Sequence, residues 1–223
     1  QVCKLEVVDH QQAPVFEELE VGSVILSPGY SLYNPELSPE LGYGRYANVV
    51  TSMEFERMLS ASGPWGGHLT RRSPDHREPK KIAFLQCVGS RDVHEGAKAY
   101  CSGVCCTYAI KEAVVAKEHS KEPLDTAIFY IDMRTYGKDF ERYYNRAQEA
   151  GVRFIKSRIT EILQVKETGD LLIQYTDETG KRVEEAFDLV VLSIGIGVPK
   201  GAVDLAKKLD IDLNPYSFPA SNS

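Results

Sequence analysis

Four of the chain's five cysteines, Cys87, Cys101, Cys105 and Cys106, fall within a stretch of twenty residues. An odd number of cysteines crowded into one region makes a poor disulfide framework, so metal or redox chemistry is the leading reading. Their order is Cys87, thirteen residues, Cys101, three residues, Cys105, and Cys106 directly after. Structural zinc usually takes pairs separated by two to four residues. A vicinal pair suits one Zn²⁺ badly, because neighbouring side chains diverge. A cubane iron–sulfur cluster is larger, and adjacent thiolates can reach different irons. The ferredoxin run Cys-x₂-Cys-x₂-Cys-x₃-Cys-Pro is absent, so spacing alone does not name the metal. Cys-x-x-Cys is absent too, which argues against a thiol–disulfide enzyme. A redox cluster, a zinc site and a set of buried thiols all remain open at this point.

Other residues stand near these in the sequence. Lys111 follows Val104 and Tyr108 and precedes Val115 at helical spacing, where an apolar side chain is expected. It can snorkel to solvent or place a cation beside a cofactor. Arg91, in the turn Gly89-Ser-Arg-Asp92, can neutralise a cluster or a phosphate, or simply be solvated. Asp132-Met-Arg-Thr-Tyr-Gly137 follows another strand-like run and can line the same crevice or cap a helix. Val24-Ile-Leu-Ser-Pro-Gly29 echoes Val191-Leu-Ser-Ile-Gly195, each an apolar run ending in Ser-x-Gly. No Gly-x-Gly-x-x-Gly loop follows a strand, so no complete dinucleotide fingerprint is present. The five histidines share no spacing and are not assigned as ligands.

The elements that must position these groups are legible as apolar runs. Strands are expected at Val21–Leu26, Lys81–Gln86, Thr126–Ile131, Val152–Ser157, Leu171–Tyr175 and Leu189–Ile194. Those at 82–85 and 127–131 lack alternation, as in strands buried on both faces of a parallel sheet. Helices are expected at Ser52–Leu59, capped by Ser52 or Thr51, at Val104–His119, at Asp139–Ala150 and at Ala202–Leu209. Alternation of strand and helix from Ile82 to Ser157 implies an α/β fold with a Rossmann-like parallel sheet. Asp177-Glu-Thr-Gly180 separates two alternating runs, a β-hairpin added to that sheet. Cys87 then stands at the carboxyl edge of a strand, where open α/β sheets bind ligands, and the other three cysteines bracket a helix start. Free N–H groups there can donate to sulfur, and Gly89 and Gly103 permit close backbone approach. The loops Ser31–Val49 and Ser60–Pro79 are long enough to suggest function or partner contact.

Bulk properties narrow the class. With 223 residues, 43% of them hydrophobic, and a net charge of −6, the chain is an ordinary globular sequence with nothing to suggest a nucleic-acid partner. Arg71-Arg72 and Lys80-Lys81 sit among Pro, Ser and acidic residues and read as solvated loop charges. No apolar run reaches the length of a membrane span and no signal peptide is visible, so a cytoplasmic location is expected. The start at Gln1 rather than Met suggests a piece of a longer polypeptide, in which Cys3 can either close a cluster motif lying upstream or be a lone terminal thiol without a role.

Three stretches carry a family resemblance. Phe84-Leu-Gln-Cys-Val-Gly-Ser-Arg-Asp92, Tyr100-Cys-Ser-Gly-Val-Cys-Cys-Thr-Tyr-Ala-Ile-Lys-Glu-Ala113 and Phe129-Tyr-Ile-Asp-Met-Arg-Thr-Tyr-Gly-Lys138 closely resemble the HdrA-like iron–sulfur flavoproteins of heterodisulfide reductase. So do Ser52-Met-Glu-Phe-Glu-Arg-Met-Leu59 and Ser62-Gly-Pro-Trp-Gly-Gly67. The resemblance implies a thioredoxin-reductase-like, FAD/NAD(P)-binding-like core with ferredoxin-type modules. It implies a [4Fe–4S] cluster on Cys87, Cys101, Cys105 and Cys106, and FAD in the full-length protein with Gly29, Lys111 and Gly195 as flavin contacts. It raises Lys111 to a catalytic candidate, and it places the main FAD loop upstream of the chain and a second flavin motif downstream. Residues 1–20 would end a ferredoxin-like segment, 21–80 carry a strand and loops of the flavin core, 81–200 form the cysteine-bearing domain and 201–223 a partial C-terminal segment. Ser27-Pro28-Gly29 stands where the family usually has Ala-Thr-Gly, and Lys4 where a Pro is usual. The implied function is an electron-transfer core working with other subunits of the complex and with ferredoxin or hydrogenase-type donors. A homologous component of a quinone-interacting oxidoreductase is the near alternative, and a zinc or interaction module the distant one.

Overall fold

The computed structural model describes residue 9 and residues 11–220, so Cys3 and the motif expected around it lie outside the described residues. Along the chain come β1 (Ser31–Leu32), β2 (Val49–Thr51), α1 (Ser52–Leu59), β3 (Lys81–Val88), α2 (Cys105–His119), β4 (Asp125–Tyr130), α3 (Phe140–Glu149) and β5 (Val152–Lys156). Then follow β6 (Ile162–Gln164), β7 (Leu171–Thr176), β8 (Arg182–Phe187), β9 (Leu189–Ile194), β10 (Ile196–Gly197) and α4 (Lys200–Lys208).

The central sheet is parallel throughout, in the order β2-β9-β3-β4-β5. Period-two alternation sorts its side chains into two cores. Ile82, Phe84, Ile128 and Val191 pack with Phe55 of α1 and with Ala109, Ile110 and Ala113 of α2. Ala83, Leu85, Phe129 and Leu192 point the other way, onto Ile162, Leu171, Ile173 and Phe187 of the antiparallel sheet β6-β7-β8. The three layers are therefore helices, parallel sheet and antiparallel sheet. Both faces of β3, β4 and β9 are covered, which is why their sequences run apolar without alternation.

Local signals placed most elements. Thr51, not Ser52, caps α1: its Oγ1 accepts from the Glu54 N–H at 3.2 Å while the Glu54 carboxylate accepts from the Thr51 N–H at 2.8 Å. The hairpin turn at Asp177–Gly180 joins β7 to β8 as expected.

Two expectations are corrected. Val21–Leu26 is not a strand: Val21, Val24 and Ile25 are exposed, and among the described residues no strand pairs with the segment. A β-branched run without a neighbour's ladder leaves its backbone groups to water, so propensity alone does not make it a strand. Arg71 is not a solvated loop charge but fully buried. It reaches Asp170 at 2.8 Å, Asp188 at 3.3 Å and the Thr168 carbonyl at 3.0 Å, pinning the Ser60–Pro79 loop beneath the start of β9. Burial of this guanidinium is sustained because its donors meet carboxylates and a carbonyl.

Candidate metal centre

Cys87 sits at a bulge. Between Leu85 and Val88 the register of β3 against β9 shifts, so that Gln86 and Cys87 together oppose the single Ser193. Without that insertion, Cys87 would follow Ala83 and Leu85 toward the antiparallel sheet. The bulge re-aims it to the side where α2 begins, with Cys87 itself at φ +64°. A non-glycine residue in the left-handed region costs roughly 1 kcal/mol and persists where neighbours over-determine it. Those neighbours are close: a Cβ on Gly195 would lie 2.8 Å from the Gly89 carbonyl oxygen, and the Gly195 N–H donates to the Val88 carbonyl at 2.7 Å.

The thirteen residues between Cys87 and Cys101 double back on themselves. The Lys98 N–H donates to the Gly89 carbonyl, the Asp92 N–H to Lys98 and the Arg91 N–H to Tyr100, at 3.0–3.1 Å. This folded loop returns Cys101 to the strand end, and α2 then opens on Cys105 and Cys106. The four cysteines line one cavity of about 10 Å³ together with Ser90, Arg91, Asp132 and Arg134. Cys87, Cys105 and Cys106 are buried and Cys101 is half-buried. Among the described residues no three His, Cys, Asp or Glu side chains gather closely enough to hold a single metal ion.

The Gly103 N–H lies 3.4 Å from Cys101 Sγ. Around the other sulfurs, Arg91 favours the thiolate of Cys87, the Arg134 backbone that of Cys106, and the Tyr108 and Ser102 hydroxyls that of Cys105, while the Tyr108 hydroxyl itself donates to the Ile194 carbonyl at 3.3 Å. Burial nonetheless raises the thiols of Cys87 and Cys105 and pushes Cys106 up to about 11. At neutral pH these three thiols hold their protons, and a metal would displace them. Arg91 and Arg134 both bond Asp132, Arg134 through Nε at 2.8 Å.

The remaining candidates are dispersed. Gly29 lines an apolar cavity of about 480 Å³ that also touches Tyr100, Cys101, Ile196 and Gly197. Gly195 does not line that cavity; it adjoins Ile196 and packs on Gly89. Lys111 lies outside both this cavity and the cysteine cavity, on the exposed side of α2, with Nζ 2.5 Å from Glu56 Oε1. The buried stripe of α2 is instead Cys105, Cys106, Ala109, Ile110, Glu112, Ala113 and Ala116, so the register through Val104 and Val115 marked the wrong face. Tyr108, Ser102 and Arg134 escaped assignment as sulfur partners, although Ser102 lies between two cysteines and Tyr108 two residues beyond a third.

No family model matches the chain. It is 44% identical, over 96% of its length, to an iron–sulfur subunit of the CoB–CoM heterodisulfide reductase of Methanopyrus kandleri, covering 32% of that protein. To the matching component of the H(2):CoB–CoM heterodisulfide,ferredoxin reductase of Methanothermobacter marburgensis it is 40% identical over 98% of its length, covering 33%. To that of the ferredoxin/F(420)H(2)-dependent CoB–CoM heterodisulfide reductase of Methanosarcina acetivorans it is 41% identical over 98%, covering 27%. The chain thus spans about a third of the length of the curated relatives it matches. Among solved structures, it is similar to the thioredoxin reductase of Lactococcus lactis at 14% identity and a TM-score of 0.49, covering 87% of this chain and 50% of that one.

Proposed function

Because the chain belongs to the HdrA family of heterodisulfide reductase components, we propose that it is the electron-transfer core of such an oxidoreductase, with a [4Fe–4S] cluster on Cys87, Cys101, Cys105 and Cys106. The carrying observation is four thiols around one cavity at the carboxyl edge of the sheet, lined also by the cationic Arg91 and Arg134. The relatives' names support it, since that of the Methanopyrus kandleri protein includes "iron-sulfur". When bound, the cluster would supply one-electron storage and an FAD two-electron exchange, in two cavities that share Cys101.

The donor set fits such a group. Thiolate is the ligand of iron–sulfur clusters, and four cysteines lining one cavity can each meet a different iron of such a centre. Cys101, half-buried and on a loop, is the most open of the four walls. The backbone at Cys87 is already held in its turn, and β3, α2 and the folded loop exclude water from three of the four sulfurs.

For FAD, the apolar cavity beside Gly29 and Cys101 has a size common for cofactor sites and suits a flat aromatic ring. Gly29 and Gly197, which line that cavity, would let backbone approach the ring, with Gly195 one residue behind. Lys111 is retained as a flavin neighbour on the family resemblance, held by Glu56. Partner subunits of a cytoplasmic complex and a ferredoxin-type donor belong to this reading, supported by the ferredoxin-dependent Methanosarcina acetivorans relative's name. Among the described residues no helix is long and apolar enough to cross a membrane.

Anaerobic purification of the full-length protein, followed by iron, sulfide and zinc analysis of wild type and of Cys87→Ser and Cys106→Ser, tests the reading. Iron and sulfide in wild type, reduced in each variant, support it. One tightly bound zinc and no iron would instead establish a zinc module.

A further inference from the structure

Asp132 follows β4 at the carboxyl edge of the sheet, the region where Rossmann folds place a carboxylate on a ribose. Here both of its oxygens are engaged by the protein itself. Oδ1 takes Arg91 Nη1, and Oδ2 takes Arg134 Nε at 2.8 Å. One short side chain thus fixes two long cationic ones, removing rotamer freedom that each would otherwise keep. The two arginines come from different loops, one after β3 and one after β4, and both line the cysteine cavity. In that cavity the Arg91 charge favours the thiolate of Cys87, and the Arg134 guanidinium stands among the same four cysteines.

The arrangement carries a net charge of +1, two guanidiniums against one carboxylate, beside four sulfurs. A cluster on four thiolates is anionic, and reduction adds one more negative charge. A fixed cation therefore favours the reduced state. We infer that Arg91 and Arg134, clamped by Asp132, set the reduction potential of the centre bound by Cys87, Cys101, Cys105 and Cys106. This rests on the cluster reading above and adds residues which the cysteine pattern does not contain.

Both guanidiniums are partly exposed, 23% for Arg91 and 31% for Arg134, so solvent screens their effect. Each is expected to change the reduction equilibrium by about tenfold, which is ~59 mV for a one-electron couple. The test is a mediated potentiometric titration, followed by electron paramagnetic resonance, of the full-length protein in five forms: wild type, R91Q, R134Q, R91K and R134K, with iron content measured on each. The glutamine variants should titrate at lower potential, and the lysine variants should recover most of the shift. Glutamine variants that titrate with wild type, or lysine variants displaced as far as glutamine, overturn the inference. Should glutamine abolish iron binding, the lysine variants decide: wild-type iron and near-wild-type potential support a charge effect, while loss of iron there too makes these residues builders of the site and overturns tuning. A wild type without iron refutes the cluster itself, a different and recognisable failure.

Discussion

Replacing Glu112 by glutamine should flatten the pH dependence of stability. Glu112 lies on the buried stripe of α2, is 2% exposed, and its Oε2 has no hydrogen-bond partner among the described residues. Burial raises its carboxyl from 4.5 to about 9, the Glu56 carboxylate adding to the rise and Lys111 opposing it. The folded chain thus keeps this proton over a range in which the unfolded chain has lost it. Stability contributed by the neutral carboxyl is complete below pH 4.5 and is lost as pH rises toward about 9. In between, one proton is at stake, so stability falls by about 1.4 kcal/mol per pH unit. The accumulated loss is about 3 kcal/mol by pH 7. Glutamine keeps the shape and never ionises. Urea unfolding of the metal-free, reduced chain at pH 5.5, 6.5 and 7.5, followed by circular dichroism, measures the effect. The histidines and thiols are common to both proteins and cancel in the difference between slopes. A new buried amide can shift both ends of the glutamine curve equally, so the slope and not the level is diagnostic. Equal slopes for wild type and Glu112→Gln would refute a carboxyl held neutral by burial.

Arg71→Leu should lower urea-unfolding stability by about 3 kcal/mol, because among the described residues it leaves Asp170 and Asp188 with only the half-exposed Arg77 as cationic partner. An unchanged midpoint would mean that the Ser60–Pro79 loop is held by something else. Gly195→Ala places a methyl 2.8 Å from the Gly89 carbonyl and should cost about 1–3 kcal/mol while loosening the Cys87 turn, seen as faster reaction of that thiol with a maleimide. Lys111→Ala in the full-length protein should lower the flavin potential in a spectroelectrochemical titration; an unmoved titration removes Lys111 from the flavin's surroundings.

The helices and most strands are legible in the sequence because their signals are local. Thr51 and Glu54 cap α1 from three residues apart, and the apolar runs at 82–85 and 189–194 need no distant partner to look buried. Val21–Leu26 looks the same and fails, because a strand is completed by the ladder beside it. Spacing puts Lys111 on an apolar face with Val104, Tyr108 and Val115, but burial on α2 follows the small residues Ala109, Ala113 and Ala116, where the sheet comes closest. Arg71 looks solvated because its acids, Asp170 and Asp188, are about a hundred residues away.

The sequence by itself supplied the thiols, since four cysteines within twenty residues are a matter of residue type, and left cluster, zinc and buried thiols open. It also determined that a strand end and a helix start would bear them. Tertiary structure alone decided which way Cys87 faces, through a register shift against β9, and which groups surround the sulfurs: Arg91, Asp132 and Arg134 from two separate loops. Residue types are written along the chain, whereas facing and electrostatic surroundings arise only where strands distant in sequence lie side by side.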